Sequence, residues 1–314
     1  MAQNKERLAW VNGEFVPESR AVVSIRDAGL VYGDSVFDTA RTFNGKLFRL
    51  KEHMDRLYRS LEKTLIDPGM TAEEMAAVTE ELVQLNLPVL RPGEDYWVTQ
   101  RVTTGQQKLD GETPVRSGAT VAIDCIPVPL RARARLFKDG INAVVAERRR
   151  ISEDALSANI KSNNYLNMML AQREVGLHQP GAWALMCDRN GNIAEGAGCN
   201  FFIVENGRVI TPKAKFVLEG ISRQVVMEIC ERESIELEEA DFDSDRAEAA
   251  DEGFFTSTSL CICPVGRLNG RTFDQVPGPV TARITEAFKA EVDFDFVQQY
   301  LDFLSDDNAG STGL

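Results

Sequence analysis

A lysine set in an apolar and amide-rich run, Ile160-Lys161-Ser162-Asn163-Asn164-Tyr165-Leu166-Asn167, is the first residue whose surroundings suggest chemistry. Three later stretches accompany it: Ala194-Glu195-Gly196-Ala197-Gly198-Cys199-Asn200, Leu218-Glu219-Gly220-Ile221-Ser222-Arg223 and Phe255-Thr256-Ser257-Thr258-Ser259. Most lysines lay their stem along the surface with the ammonium in water. A buried one becomes easier to deprotonate, and its neutral amine can form a Schiff base. Glu195, at the edge of a glycine turn, is either solvated or aimed at a ligand, where a carboxylate can keep a pyridine nitrogen protonated. Gly220-Ile221-Ser222 opens a helix, whose unpaired N–H groups and dipole suit an anion unless the serine merely caps it. The hydroxyls of residues 256–259 serve the same anion or are ordinary strand residues. Taken together and in this order, these are the parts that hold an aldehyde cofactor with a phosphate tail.

The bulk properties narrow the classes. With 314 residues, 43% of them hydrophobic and 26% charged, the chain is long enough for two modest domains with a sizeable core. A formal net charge of −13 argues against electrostatic binding to nucleic acid or an anionic membrane, which draws on clustered Lys and Arg. The run Arg148-Arg149-Arg150 is too short to alter this and reads as a solvated face. The six cysteines (Cys125, Cys187, Cys199, Cys230, Cys261, Cys263) form no CxxC pair and have apolar neighbours, so reduced, buried thiols in the cytoplasm are expected. Cys261 and Cys263 alone are a poor metal site, and His53 and His178 offer little for histidine-based chemistry, so no metal is expected. Residues 1–10 lack the apolar core of a signal peptide, and no run of ~18 apolar residues suggests a membrane span.

Local patterns indicate how these residues are positioned. Residues 8–16 alternate around Asn12-Gly13, a hairpin signal, and a glycine-punctuated stretch over 27–37 leads into a strand closed by Asn44-Gly45. The spacing of Met54, Leu57, Tyr58, Leu61 and Leu65 predicts an amphipathic helix over 51–65, with Arg56 beside its stripe and ordinarily solvated. Thr71-Ala72-Glu73-Glu74 opens a second helix as a capping box. The β-formers of 96–104 predict a strand with Trp97, Thr99, Arg101 and Thr103 on one face, and 119–126 reads as another. A stiff linker is expected at Ile126-Pro127-Val128-Pro129-Leu130. Beyond it come a strand over 141–146, a helix from Tyr165, a β meander through 183–211, a helix from Ile221, strands at 254–256 and 261–263, and a closing helix over 279–297. The expected organisation is a small α+β domain over 1–126, a linker over 127–134, a larger cofactor-binding domain over 135–304 and a disordered tail over 305–314.

The set Ile160-Lys161-Ser162-x-Asn164-Tyr165-Leu166, Glu195-Gly196-x-Gly198-x-Asn200-Phe201-Phe202, Leu218-x-Gly220-Ile221-Ser222-Arg223 and Thr256-Ser257-Thr258 resembles the fold-type IV pyridoxal-phosphate enzymes. That class IV group holds branched-chain aminotransferases, D-amino-acid aminotransferases, (R)-selective amine transaminases and aminodeoxychorismate lyases. The resemblance runs from about Trp10 to Val280. It implies an α+β chain of two domains, a small N-terminal α/β sandwich and a larger β-rich pseudo-barrel with flanking helices. It further implies pyridoxal 5′-phosphate in the cleft between them and a homodimer or larger homo-oligomer. Carried over residue by residue, it makes Lys161 the Schiff-base and acid–base group and Glu195 the partner of the pyridine nitrogen. Arg56, Gly220, Ile221, Ser222, Ser257 and Thr258 take the phosphate, Leu218 presses on the ring, and Tyr165 flanks it near its hydroxyl.

On the substrate side, Tyr32, Phe37 and Arg41 resemble the branched-chain enzymes, where the tyrosine and phenylalanine line an apolar pocket. Ser257-Thr258-Ser259 stands where those enzymes receive the α-carboxylate, which implies a substrate contact for Ser259. The spacing from Lys161 to Tyr165 is closer to the D-amino-acid and (R)-amine branch. Yet no Arg-x-His follows Thr104, and Trp97-Val98-Thr99 lacks the aromatic-Val-Glu of (R)-amine transaminases. Arg101, on the same strand face as Trp97 and Thr99, recognises a second carboxylate or is an edge-strand charge. The implied activity is ping-pong exchange of an amino group between an apolar, branched-chain-like amino acid and a 2-oxo acid such as 2-oxoglutarate. The alternatives are an (R)-amine or D-amino-acid transaminase, an aminodeoxychorismate-type lyase, which needs no acceptor acid, and a cofactor-free protein on the same fold, which would not need Lys161 and Glu195 together.

Overall fold

The computed structural model describes residues 6–110, 113–116 and 118–304, so the tail expected over 305–314 lies outside the described residues. The chain divides into two compact units: Met1–Val128 with Ile160–Asn164, and Pro129–Asn159 with Tyr165–Leu314.

In the first unit, β1 (Leu8–Val11) and β2 (Glu14–Pro17) form the hairpin, and its turn residues Asn12 and Gly13 take φ of 48° and 102°. The glycine-punctuated stretch after it contains a short helix, α1 (Ala28–Tyr32), because Asp27 caps its start by accepting the Gly29 N–H and Gly33 ends it in the left-handed region. Then come β3 (Ser35–Phe43), β4 (Lys46–Leu47), α2 (Leu50–Thr64) and α3 (Ala72–Asn86). The capping box of α3 is complete, with Thr71 Oγ1 accepting the Glu74 N–H and Glu74 accepting the Thr71 N–H. Next, β5 (Tyr96–Thr103), β6 (Gln107–Asp110), β7 (Thr113–Arg116) and β8 (Thr120–Pro127) complete the unit. The sheet runs β2-β1-β8-β5-β3-β4 with antiparallel neighbours, and β6 pairs only with β7. Tyr96, Val98 and Val102 on one face of β5 enter a core with Met54, Leu57 and Leu61 of α2 and Leu82 of α3. The opposite face carries Trp97, Thr99 and Arg101. Residues 160–164 join this unit at the start of β3, where Phe37 N–H donates to the Lys161 carbonyl at 2.9 Å and Asn163 N–H to the Ser35 carbonyl at 3.0 Å.

The second unit begins with α4 (Leu130–Asp139), where the sequence reads as linker through residue 134. Pro127 and Pro129 hold the backbone ahead of it, and the latter is its N-cap residue. There follow β9 (Ile141–Val145), α5 (Leu166–His178), β10 (Trp183–Cys187), β11 (Ile193–Gly196), β12 (Cys199–Glu205) and β13 (Arg208–Thr211). Then come α6 (Ile221–Arg232), β14 (Leu237–Glu239), α7 (Ser244–Ala249), β15 (Glu252–Ser257), β16 (Cys261–Leu268) and β17 (Arg271–Thr272). The sheet order is β11-β10-β9-β16-β15-β12-β13-β14, and a further pairing of β11 with β12 closes six of these strands into a ring. This is the α+β, barrel-containing architecture the sequence leads one to expect. Ala171 and Val175 of α5 pack on Ala184 and Met186 of β10, while Gln172 bridges Ala182 and Ala184 by hydrogen bonds of 2.7 and 3.0 Å. The closing helix is two helices, α8 (Pro279–Val292) and α9 (Phe296–Leu301), because Asp293 adopts φ 48° and stops the first. Among the described residues all six cysteines are free and buried, as expected, and no helix is long and apolar enough to cross a membrane.

Candidate active site

The candidate residues fall into one cluster in each unit. In the first, Lys161 is held by its backbone: its carbonyl accepts from Phe37 and its N–H donates to Ser60 Oγ at 3.2 Å. The side chain lies over Phe37, with Nζ 4.6 Å from the ring centroid. One turn from Ser60 along α2, Arg56 is buried rather than solvated. Its Nε and Nη2 donate to the two oxygens of Asp38 at 2.8 and 2.7 Å, a fork-to-fork pair. His53, one turn earlier, meets Asp38 Oδ1 through Nδ1 at 2.7 Å, and the carboxylate partner makes that nitrogen the donor. Burial pushes Asp38 up, but the Arg56 and His53 charges outweigh it and hold the carboxyl far below the usual range. Burial likewise lowers His53, and the Arg56 and Lys161 charges add to this against the opposing pull of Asp38.

The substrate candidates of this unit are spread over several environments. Tyr32 is 62% exposed at the end of α1, and Phe37 is half-buried. Arg41 is only 1% exposed, with its guanidinium 4.2 Å from the Phe43 ring centroid and its Nε donating to the Thr42 carbonyl. Trp97 is half-buried, and Thr99 shares a 3.1 Å hydrogen bond with Thr39 across the sheet. Arg101 sits on an interior strand, between β8 and β3, and its ion-pair partner is Asp124 on β8.

In the second unit, Glu195 of β11 is opposite Asn200 of β12, which is opposite Thr256 of β15, so the three side chains line one face of the sheet. Glu195 is 3% exposed. Its Oε2 accepts the Leu218 N–H at 3.1 Å, while Oε1 lies 2.8 Å from Arg150 Nη2 in an ion pair whose angles leave Oε1 without a directed hydrogen bond. Arg150 thus departs from the solvated reading of its basic run. Asn200 Nδ2 donates to the Leu218 carbonyl at 2.8 Å, which ties the 218–220 loop over the row. A Cβ on Gly220 would fall 2.1 Å from Asn200 Oδ1, so only glycine lets the loop approach this closely. Gly220 is the N-cap residue of α6, where Ile221 and Ser222 are buried. Tyr165 is the half-buried N-cap residue of α5.

The turn between β15 and β16 carries the remaining hydroxyls. Thr256 Oγ1 is buried with no partner among the described residues. Ser257 Oγ accepts the Leu260 N–H at 3.1 Å and lies 3.3 Å from Ser259 Oγ; Ser259 in turn accepts from Arg133 of α4, and Thr258 is half-buried. Sequence reasoning did not find Asp38, His53, Arg150 or Arg133. Only burial, or for half-buried Arg150 the Glu195 ion pair, distinguishes them from solvated charges, and both are properties of the fold.

The row fits a planar, nitrogen-protonated ring with an anionic tail. Glu195 Oε1 keeps acceptor capacity for a ring N–H, Thr256 Oγ1 is an orphaned buried hydroxyl two strands along the same face, and the loop backbone at Gly220 lies too close to Asn200 to admit a Cβ.

A family model described as amino-transferase class IV matches residues 35–268. The chain is 38% identical over 285 residues to a putative branched-chain-amino-acid aminotransferase of Methanocaldococcus jannaschii, across 89% of this chain and 94% of that protein. It is 30% identical over 284 residues to a D-alanine aminotransferase of Bacillus licheniformis, across 90% and 95%. Among solved structures it is similar to the branched-chain aminotransferase of Thermoproteus uzoniensis with norvaline, at a TM-score of 0.81 and 31% identity over 96% of this chain and 99% of that one. It is also similar to the branched-chain amino acid aminotransferase of Thermobaculum terrenum in its PLP-form, at a TM-score of 0.79 and 26% identity over 96% of this chain and 99% of that one.

Proposed function

Because the chain belongs to the class IV amino-transferases, we propose that it is a pyridoxal-phosphate-dependent transaminase exchanging an amino group between an apolar, branched-chain-like amino acid and a 2-oxo acid such as 2-oxoglutarate. The observation that carries the cofactor assignment is Glu195, a buried carboxylate with one oxygen engaged by the Leu218 N–H and the other lacking a directed hydrogen bond.

Pyridoxal 5′-phosphate supplies, when bound, an aldehyde for reversible covalent linkage to amines and a ring that accepts an electron pair. The chain's own residues do the rest. Lys161 Nζ would be the amine that holds the cofactor, and the same atom would move the substrate's α-proton. Glu195 Oε1 would accept the ring N–H and favour the protonated nitrogen, with Arg150 beside it as the counter-charge. The N–H groups of Ile221 and Ser222 at the start of α6 would bind the phosphate together with Ser257 and Thr258, and Arg56 is the first unit's assignment to that anion. Leu218 would pack on the ring and Tyr165 would flank it near its hydroxyl. Tyr32, Phe37, Arg41, Trp97, Thr99, Arg101 and Ser259 remain the substrate-side assignments. Exposed Val22, Ile25, Leu30 and Val31 support a homodimer or larger assembly, and the free thiols suit a reducing cytoplasm.

The test is a half-reaction screen in which purified holoenzyme is mixed separately with L-leucine, D-alanine and (R)-1-phenylethylamine while the visible absorbance of the bound cofactor is followed. Bleaching by L-leucine alone is expected, and it should vanish in Lys161→Ala although that variant still folds. Bleaching only by the D-amino acid or the amine would transfer the chain to the other branch. Turnover retained in Lys161→Ala would sink the mechanism.

A further inference from the structure

Arg133 has no place in the scheme above. It projects from α4, is 6% exposed, and lies with its guanidinium 5.7 Å from the centroid of the Trp183 ring. Its Nη1 donates to Ser259 Oγ, and the Tyr300 hydroxyl of α9 is also a close polar neighbour. Tyr300 is itself fixed, stacked on Phe137 of α4 at 4.1 Å between centroids and donating to the Ser259 carbonyl at 2.7 Å. Ser259 is therefore braced at its side chain by Arg133 and at its backbone by Tyr300. Burial pulls the Arg133 pKa down, but a guanidinium stays charged at any working pH.

Arg133 can only donate, so Ser259 Oγ accepts from it, and a hydroxyl that accepts from a cation becomes a stronger donor itself. Ser257 Oγ lies 3.3 Å from Ser259 Oγ and already accepts the Leu260 N–H. Donation by Ser259 across this contact would fill both acceptor positions of Ser257 and leave its own proton to point outward, at a half-buried position on the turn. We propose that Arg133, through Ser259, makes Ser257 an oriented donor to an anionic oxygen of a bound ligand, so that Arg133 is a positioning residue for oxyanion recognition at the 257–260 turn. The inference rests on the transaminase reading. The oxygen belongs either to a substrate carboxylate or to the cofactor's phosphate, and the two are separated by experiment.

In the first arm, holoenzyme is titrated with 4-methylvalerate, a carboxylate with no amine to react, and with the uncharged 4-methylvaleramide, each read from the shift in visible absorbance. In the second, the affinity of resolved enzyme for pyridoxal 5′-phosphate is compared with that for pyridoxal. Wild type, Arg133→Lys, Arg133→Met and Ser257→Ala are taken through both. Arg133→Met and Ser257→Ala should each lose roughly tenfold of the preference for the anionic ligand in one arm, as expected for a charge-assisted hydrogen bond, whereas Arg133→Lys should retain most of it. Loss in the first arm identifies a carboxylate, and loss in the second a phosphate. A merely structural arginine weakens charged and uncharged ligands in parallel, and that result, or unchanged preference in both arms, overturns the proposal. Ser257→Ala keeps the test open should Arg133→Met fail to fold. A wild-type protein with no affinity for pyridoxal 5′-phosphate would refute the transaminase reading instead.

Discussion

Replacing Asp38 by Asn tests whether the buried network of the first unit is held together by charge. Asp38 accepts from Arg56 Nε and Nη2 at 2.8 and 2.7 Å, from His53 Nδ1 at 2.7 Å and from the Thr39 N–H at 2.7 Å, all with no exposed surface of its own. Asparagine preserves the shape, but it turns an NH₂ group toward Arg56 or His53, both of which donate, and leaves the Arg56 charge buried without its counter-ion. Breaking a buried pair on one side costs about 3–5 kcal/mol. At ~2–4 °C per kcal/mol this lowers the melting temperature by roughly 6–20 °C. The measurement is thermal unfolding of cofactor-free protein at pH 8, so that altered ligand affinity does not enter. The pH dependence follows from the same groups. The folded Asp38 pKa is depressed, so its contribution is complete above about pH 4 and is lost below it, and the gap between wild type and variant narrows only there. The folded His53 pKa is also depressed, so the unfolded chain takes up a proton first, and both proteins lose stability as pH falls below about 6.5. A gap under about 2 °C at pH 8 would refute the account of Asp38 as the counter-charge of Arg56.

Two further substitutions probe the second unit. Gly220→Ala places a methyl group 2.1 Å from Asn200 Oδ1 and should displace the amide that bonds to the Leu218 carbonyl, a loss of about 2–3 kcal/mol in denaturant unfolding; an unchanged midpoint would mean that Asn200 turns aside at no cost. Glu195→Gln should still bind cofactor but slow the half-reaction by roughly 100-fold, because a neutral amide no longer favours a protonated ring nitrogen, and a rate near wild type in stopped-flow absorbance would remove Glu195 from that role.

What the sequence conveys depends on how local the determining interactions are. The capping box at Thr71 and the Asn12-Gly13 turn are decided by residues a few positions apart, and both are found where local chemistry puts them. Helix α4 is hidden because Pro127 and Pro129 dominate the local signal, and the arginines that follow look like solvent-facing residues. Yet Arg133 on that helix is buried against Trp183, Ser259 and Tyr300, partners brought in from distant parts of the second unit. The same applies to Asp38 in a strand and to Arg150 in a basic run. A charge in either setting is ordinarily solvated, whereas Asp38 is buried and Arg150 half-buried here, each beside an opposite charge that only the fold supplies. Lys161, Glu195 and Gly220 were legible by contrast because their apolar, amide and glycine neighbours are unusual for a lysine, a carboxylate and a helix start. The residues that carry the proposed chemistry thus announce themselves through local context. Those that set its electrostatics stay silent until the fold brings their partners beside them, which makes Asp38, Arg150 and Arg133 the substitutions most able to separate charge from shape in this protein.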